Sequence, residues 1–142
     1  MTSTEVAGGF RLLVCGDRDW GSDFRDRWLL EQELATWAAL YPDLLIIEGE
    51  GGHADVMARE WAQERGVAYE PYPAHWRHDD DCPADCRRAI GRAAGPVRNL
   101  LMLNVGRPDY VVAFHRDLAA SKGTANMVRI ARERGVPVRV LP

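Results

Sequence analysis

A chain of 142 residues, 46% hydrophobic and 27% charged, can bury a real core and has the composition of a globular protein rather than a disordered one. Its net charge of −3 supplies no general basic field, which counts against a nucleic-acid partner but leaves room for a local positive pocket that takes a small phosphorylated ligand. No stretch approaches the roughly 18 apolar residues needed to enter a membrane, and Met1–Gly9 has neither the basic nor the apolar region of a secretory leader, so a cytoplasmic location is expected.

Phe10–Gly16 is a short apolar run closed by glycine, suited to a buried strand. Asp17–Asp23 is turn chemistry. Leu30, Leu34, Trp37 and Tyr41 then recur at helical spacing until Pro42 ends the helix. Asp43–Ile47 reads as a second strand and Glu48–Gly52 as a glycine-rich turn. Ala54, Met57, Ala58 and Trp61 form the stripe of a second helix that stops at Gly66, and Val67–Tyr72 is a third strand.

Periodicity disappears from Pro73 to Ala94, which predicts a long irregular loop. Gly95-Pro96 opens a third helix running to about Asn104. A fourth strand covers Asp109–Phe114, a fourth helix carries Met127, Ile130 and Ala131 and ends at Gly135, and Val136–Leu141 is a fifth strand. Strands that are apolar throughout and alternate with helices predict a parallel sheet covered on both faces. The expected fold is therefore α/β, one doubly wound Rossmann-like domain over residues 1–142, with strand order 3-2-1-4-5. Such sheets bind ligands beyond the carboxyl ends of the strands, in the loops Gly16–Ser22, Glu48–Asp55, Pro73–Ala94 and His115–Thr124.

Those loops hold the unusual residues. Gly16 permits close backbone approach, Arg18 can fork onto a phosphate and Trp20 can stack on a base; a plain turn with Trp20 packed over the sheet edge is the alternative. Gly49, Gly51 and Gly52 lead into a helix and could cradle an anion, although Glu48 and Glu50 would repel phosphate; Asp55 could hold ribose hydroxyls or cap the helix. Ser121, Lys122, Gly123 and Thr124 offer hydroxyls, an ammonium and backbone N–H groups before the fourth helix, suited to phosphate or to simple capping. Arg98, followed by Asn99, sits unfavourably in a first helical turn, so either a ligand phosphate or a nearby acid is expected to hold it. Glu48, Glu50, Asp55, His53 and His115 are acid/base candidates.

His75, His78, Cys82 and Cys86 fall in one loop with spacing His-x2-His-x3-Cys-x3-Cys. Two imidazoles and two thiolates suffice for tetrahedral zinc, but free thiols or a Cys82–Cys86 disulfide fit the same residues. Cys15 reads as a buried thiol. No Gly-x-Ser-x-Gly elbow, His-Glu-x-x-His or Walker Gly-Lys-Ser/Thr is present.

Gly16-x-Arg18-x-Trp20, Gly49…Ala54-Asp55…Trp61-Ala62, Pro73-Ala74-x-Trp76, Ala94-Gly95-Pro96-x-Arg98-Asn99…Met102, Ala113-Phe114 and Gly123-Thr124-x-x-Met127 together resemble the short, stand-alone YspA-like members of the SLOG superfamily. The superfamily is named for the DNA-processing protein DprA and the LOG phosphoribohydrolases, and the likeness runs from residue 10 to 140. It implies a Rossmann-like fold and a nucleotide or nucleotide-derived ligand, often in signalling, conflict or phage-related settings. LOG enzymes cleave the N-glycosidic bond of nucleoside monophosphates with a Pro-Gly-Gly-x-Gly-Thr-x-x-Glu motif. Here the matching stretch is Ala119–Met127, which keeps Gly123-Thr124 but places Met127 where the glutamate would stand. A thioether neither shuttles protons nor stabilises an oxocarbenium ion as a carboxylate does.

Two functions follow as expectations: a sensor or sequestering module for a nucleotide-derived small molecule, or a nucleotide-processing N-glycosidase using Glu48 or Glu50 in place of the lost acid. A homodimer is expected, because five tryptophans exceed what a small core needs and Trp28 or Trp37 could lie in an interface; LOG relatives pair through helices.

Overall fold

The computed structural model describes residues 9–88, 90–118 and 121–142, so the expectation for Met1–Gly9 lies, Gly9 apart, outside the described residues, as do Ala119 and Ala120 of the LOG-like stretch. The apolar runs become five strands: β1 (Arg11–Gly16), β2 (Leu45–Glu48), β3 (Ala68–Pro71), β4 (Tyr110–Phe114) and β5 (Val138–Leu141). All pair in parallel, in the order β3-β2-β1-β4-β5. The helices between them are α1 (Phe24–Leu40), α2 (His53–Arg65), α3 (Ala94–Asn104) and α4 (Gly123–Glu133). The α/β doubly wound fold expected from the sequence is the one observed. No helix among the described residues is long and apolar enough to cross a membrane.

Alternation along the strands divides the core in two. Leu12, Val14, Ile46, Val112 and Phe114 pack against Leu30 and Leu34 of α1 and Met57, Ala58 and Trp61 of α2. Leu13, Cys15, Ile47, Val111 and Ala113 face the other way, onto Met102 and Leu103 of α3 and Met127, Val128 and Ala131 of α4. Neither face of the central strands meets water, so Leu12–Cys15, Leu45–Ile47 and Val111–Phe114 are apolar without a break.

Element ends follow local chemistry. Asp23 caps α1 by accepting from the Asp26 N–H at 2.9 Å. Tyr41 closes the same helix by donating to the Trp37 carbonyl at 2.9 Å, one residue before the proline that could not continue it. Gly66 takes a left-handed φ of 69° and ends α2. Strand β5 starts after Pro137, which has no N–H to offer a ladder.

Candidate functional site

β1 and β4 lie side by side, yet the chain leaves them toward helices on opposite faces of the sheet. Their carboxyl ends therefore cannot be covered by one connection, and a cleft of about 480 Å³ opens there. Of the residues singled out in the sequence, Gly16, Arg18, Gly51, Asp55, Arg98, Asn99, Ser121, Lys122, Gly123 and Thr124 line this cleft together. Trp20, Gly49 and Gly52 do not. Trp20 is buried, with its ring 4.6 Å from that of Phe114, so the structure places it in the core and not against a ligand. Gly52 is the N-cap of α2 and backs onto the Arg18 main chain.

Glycine at position 16 is demanded by packing. A Cβ there would lie 2.8 Å from the Ala54 Cβ and 2.9 Å from the Phe114 carbonyl oxygen, where β1, α2 and β4 converge. Gly49 has a different duty. Its carbonyl accepts from Arg98 Nη1 at 2.6 Å, and any side chain at that position would strike the guanidinium. The Arg98 Nε donates to the Asn99 side-chain oxygen at 3.0 Å, and Asn99 Nδ2 donates to the Gly123 carbonyl at 3.2 Å and to Asn126 Oδ1 at 2.9 Å. One relay thus ties the loop after β2 to the starts of α3 and α4. Arg98, the fifth residue of α3, lies past the first turn in which the sequence placed it, and a backbone carbonyl holds it where a ligand phosphate or an acid was expected.

The two glycine-rich loops differ in what already occupies them. The Gly51 N–H donates to Asp55 Oδ2 at 2.7 Å, so the chain's own carboxylate fills that turn. Asp55 Oδ1 is buried at the cleft without a hydrogen-bond partner. Burial pushes the Asp55 carboxyl up to about 6, against the pull of the Gly51 N–H and the Arg98 charge. Before α4, Ser121 Oγ accepts from the Thr124 N–H at 3.3 Å, and Lys122 stands beside them with no acid in Ser121–Thr124. Arg18, Arg92, Arg98 and Lys122 line the cleft against two acids, Asp17 and Asp55. An acidic chain has gathered a positive pocket. Burial also pushes the Cys15 thiol up, so it enters the cleft wall as a neutral group.

The other acid/base candidates sit elsewhere. Glu48 is buried beyond the cleft; one oxygen accepts the Glu50 N–H at 2.7 Å and the other has no partner. Burial raises its carboxyl to about 7. Glu50, at a left-handed φ of 54°, pairs with Arg59 at 3.1 Å. His53 lines a smaller depression with Gly21 and Met57. His115 is buried; its Nδ1 accepts the Asp117 N–H at 2.9 Å, which leaves the proton on Nε2, 3.8 Å from Asp17 Oδ1.

His75, His78, Cys82 and Cys86 come together in the irregular loop, one ligand atom of each lying within 4.8 Å of the others, and both cysteines are free. His75 Nε2 is 3.2 Å from His78 Nδ1, 3.5 Å from Cys82 Sγ and 3.6 Å from Cys86 Sγ. An imidazole nitrogen has one proton or one lone pair and cannot satisfy three such neighbours. A tetrahedral ion with metal–sulfur bonds of about 2.3 Å and metal–nitrogen bonds of about 2.05 Å would set N···N edges near ~3.3 Å and N···S edges near ~3.6 Å. The three edges from His75 match that figure, and the four side chains together can hold a metal. Arg88 donates to both sulfurs at 3.5 Å, an outer contact that favours thiolates.

Trp76 and Arg92 also line the cleft and were missed in the sequence, because the aperiodic loop gives no signal of which side chains turn inward. Pro73-Ala74-x-Trp76, read as a family motif, was the one available hint.

The fold and the cleft define a doubly wound, Rossmann-like protein with a positive cleft at its switch point. Residues 10–78, just under half of the chain, match the family described as YspA, cpYpsA-related SLOG. Among solved structures the chain is similar to DNA processing protein A (DprA) from Streptococcus pneumoniae, with TM-score 0.71 and 14% identity, over 97% of this chain and 52% of that one. It thus spans about half the length of the DprA chain. A Moco carrier protein from Chlamydomonas reinhardtii is similar too, with TM-score 0.60 and 19% identity, over 94% of this chain and 76% of that one. At these identities the likeness is one of fold. No curated protein matches the sequence significantly.

Proposed function

We propose that this protein binds a nucleotide or nucleotide-derived small molecule in the cleft at the strand ends, as a sensor or sequestering module. The observation that carries the reading is the positive cleft itself: four cationic side chains around a helix start in a chain of net charge −3. Phosphate goes to Ser121–Thr124, where an ammonium, a hydroxyl and the N-terminus of α4 meet and the Thr124 N–H is held only by the neutral Ser121 hydroxyl at 3.3 Å, and not to Gly51, whose N–H is held by a carboxylate. Asp55, an acceptor among the lining residues, suits a ribose hydroxyl as donor. The Moco carrier protein, whose name assigns it a small-molecule cargo, agrees with a binding role on this fold.

Isothermal titration with AMP and ADP-ribose tests the reading. Micromolar binding is expected, weakened about tenfold by Lys122→Ala, in keeping with the loss of one charge-assisted phosphate contact of about 1.4 kcal/mol, and with an unchanged melting temperature. Absence of heat with both compounds sinks it.

Hydrolysis of an N-glycosidic bond is the second reading, favoured by one observation: Asp55 faces the cleft with a carboxyl raised to about 6, inside the range of a general acid. It replaces Glu48 and Glu50 in that role, since neither lines the cleft. Free adenine released from AMP by the wild type and not by Asp55→Asn decides for it.

The same proposal gives the His75, His78, Cys82 and Cys86 cluster a structural zinc, which a reducing cytoplasm would preserve as thiolate-bound metal. It also keeps the homodimer. Trp37 packs within its own chain between Phe10, Tyr41 and Tyr110, but Trp28 is exposed, and so are Val97, Leu100 and Leu101 of α3 and Val105 just after it.

A further inference from the structure

Residues 72–93 connect β3 to α3 with little regular structure, yet they deliver two side chains to the cleft. Trp76 stands between the first two members of the His/Cys cluster in sequence. Its carbonyl accepts the Gly91 N–H at 2.8 Å, which pins the short 3-10 turn carrying Arg92. Its ring lies over Gly95 at the start of α3; a Cβ on that glycine would come within 3.3 Å of the ring edge. The indole is nevertheless 49% exposed while lining the cleft. A half-exposed aromatic side chain in the wall of a positive pocket that Arg92 also lines offers what a planar base needs.

A connection of this length has many conformations to lose. Trp76 is tied by a backbone hydrogen bond to Gly91 and an edge contact with Gly95, and through the chain by whatever holds its neighbours His75 and His78. Those neighbours converge with Cys82 and Cys86 on the tetrahedral edges described above.

We propose that a zinc ion on His75, His78, Cys82 and Cys86 holds Trp76 and Arg92 in place as the outer wall of the ligand cleft. The metal is then a positioning device for the pocket and takes no part in chemistry on the ligand. Where the nucleotide reading holds, on which this extension rests, zinc and nucleotide bind with positive linkage, and by reciprocity each strengthens the other by the same factor. Trp76 is the base-stacking residue of that site.

Metal analysis of the purified chain and acrylamide quenching of its fluorescence test this, with the Trp76 share taken as the difference between wild type and Trp76→Phe. The expected result is about one zinc per chain, lost in the Cys82→Ser/Cys86→Ser variant. Chelation of the wild type, which needs no substitution, makes Trp76 at least twofold more quenchable, and added zinc reverses this. Removing zinc also weakens AMP at least fivefold in the wild type and by less than twofold in Trp76→Ala, where the wall is already gone. A chain without stoichiometric zinc overturns the proposal, and so does a Trp76 signal indifferent to chelation. If AMP binds neither form while Trp76 still follows zinc, the nucleotide reading and the linkage fall and the metal-held wall stands.

Discussion

Two helix starts face one cleft, and they are built in opposite ways. At α2 the chain has closed the turn on itself: Asp55 accepts the Gly51 N–H, and Gly16 brings β1 against the first turn so tightly that no side chain fits. At α4 the turn holds no carboxylate: Lys122 stands there, the Ser121 hydroxyl accepts the Thr124 N–H, and a Gly123 Cβ would meet nothing within 4 Å beyond its chain neighbours and helix backbone. Glycine-rich loops look alike as strings, but the electrostatic value of a helix N-terminus depends on whether a carboxylate already sits in it.

The comparison can be broken first at its closed side. Gly16→Ala forces a Cβ onto the Ala54 side chain and the Phe114 carbonyl, and backbone cannot swing aside, so a loss of about 2–3 kcal/mol in denaturant unfolding is expected. A loss under about 0.5 kcal/mol would show that the closed side is not tight.

A somewhat smaller effect is tied to pH. Glu48 and Asp55 have folded-state values of about 7 and 6, above their ordinary 4.5 and 3.8. The native state therefore keeps protons that the unfolded chain has released. Their contribution to stability is fully present below about pH 4 and is lost as pH rises through 6 and 7. Glu48→Gln should be more stable than the wild type at pH 8 by about 2 kcal/mol and lose that advantage at pH 4, read from unfolding curves at both values. An advantage independent of pH would mean that Glu48 titrates normally.

The smallest effect sharpens the open side. Gly123→Ala adds a methyl group to empty space in a helix, so stability should stay within about 0.5 kcal/mol of the wild type or rise slightly. Paired with Gly16→Ala, it separates glycine kept for packing from glycine at an uncrowded helix start.

Much of this architecture can be read from residue order. Apolar runs such as Leu12–Cys15 and Leu44–Ile47, stopped by glycine or proline, give the strands and their parallel pairing, and the loops after β1 and β4 give the switch point. Direction is harder to read. Trp20 follows a turn, and nothing local says whether its ring covers a ligand or, as here, Phe114. Glu48 was readable by strand alternation: it continues the phase of Ile46, whose side chain points toward α1 and α2, away from the α3–α4 face. The Arg98 partner was not, because a carbonyl 49 residues away leaves no mark in the sequence. Trp76 and Arg92 escaped for want of any period in their loop.

The relay from Gly49 through Arg98 and Asn99 to Gly123 has a consequence for how this scaffold diversifies. It stitches the floor of the cavity from three separate connections, so a change at any stitch disturbs all three. The Trp76 segment crosses above that floor and takes no part in the stitching. A substitution in that segment can therefore reshape the roof of the cavity while the relay beneath it stands.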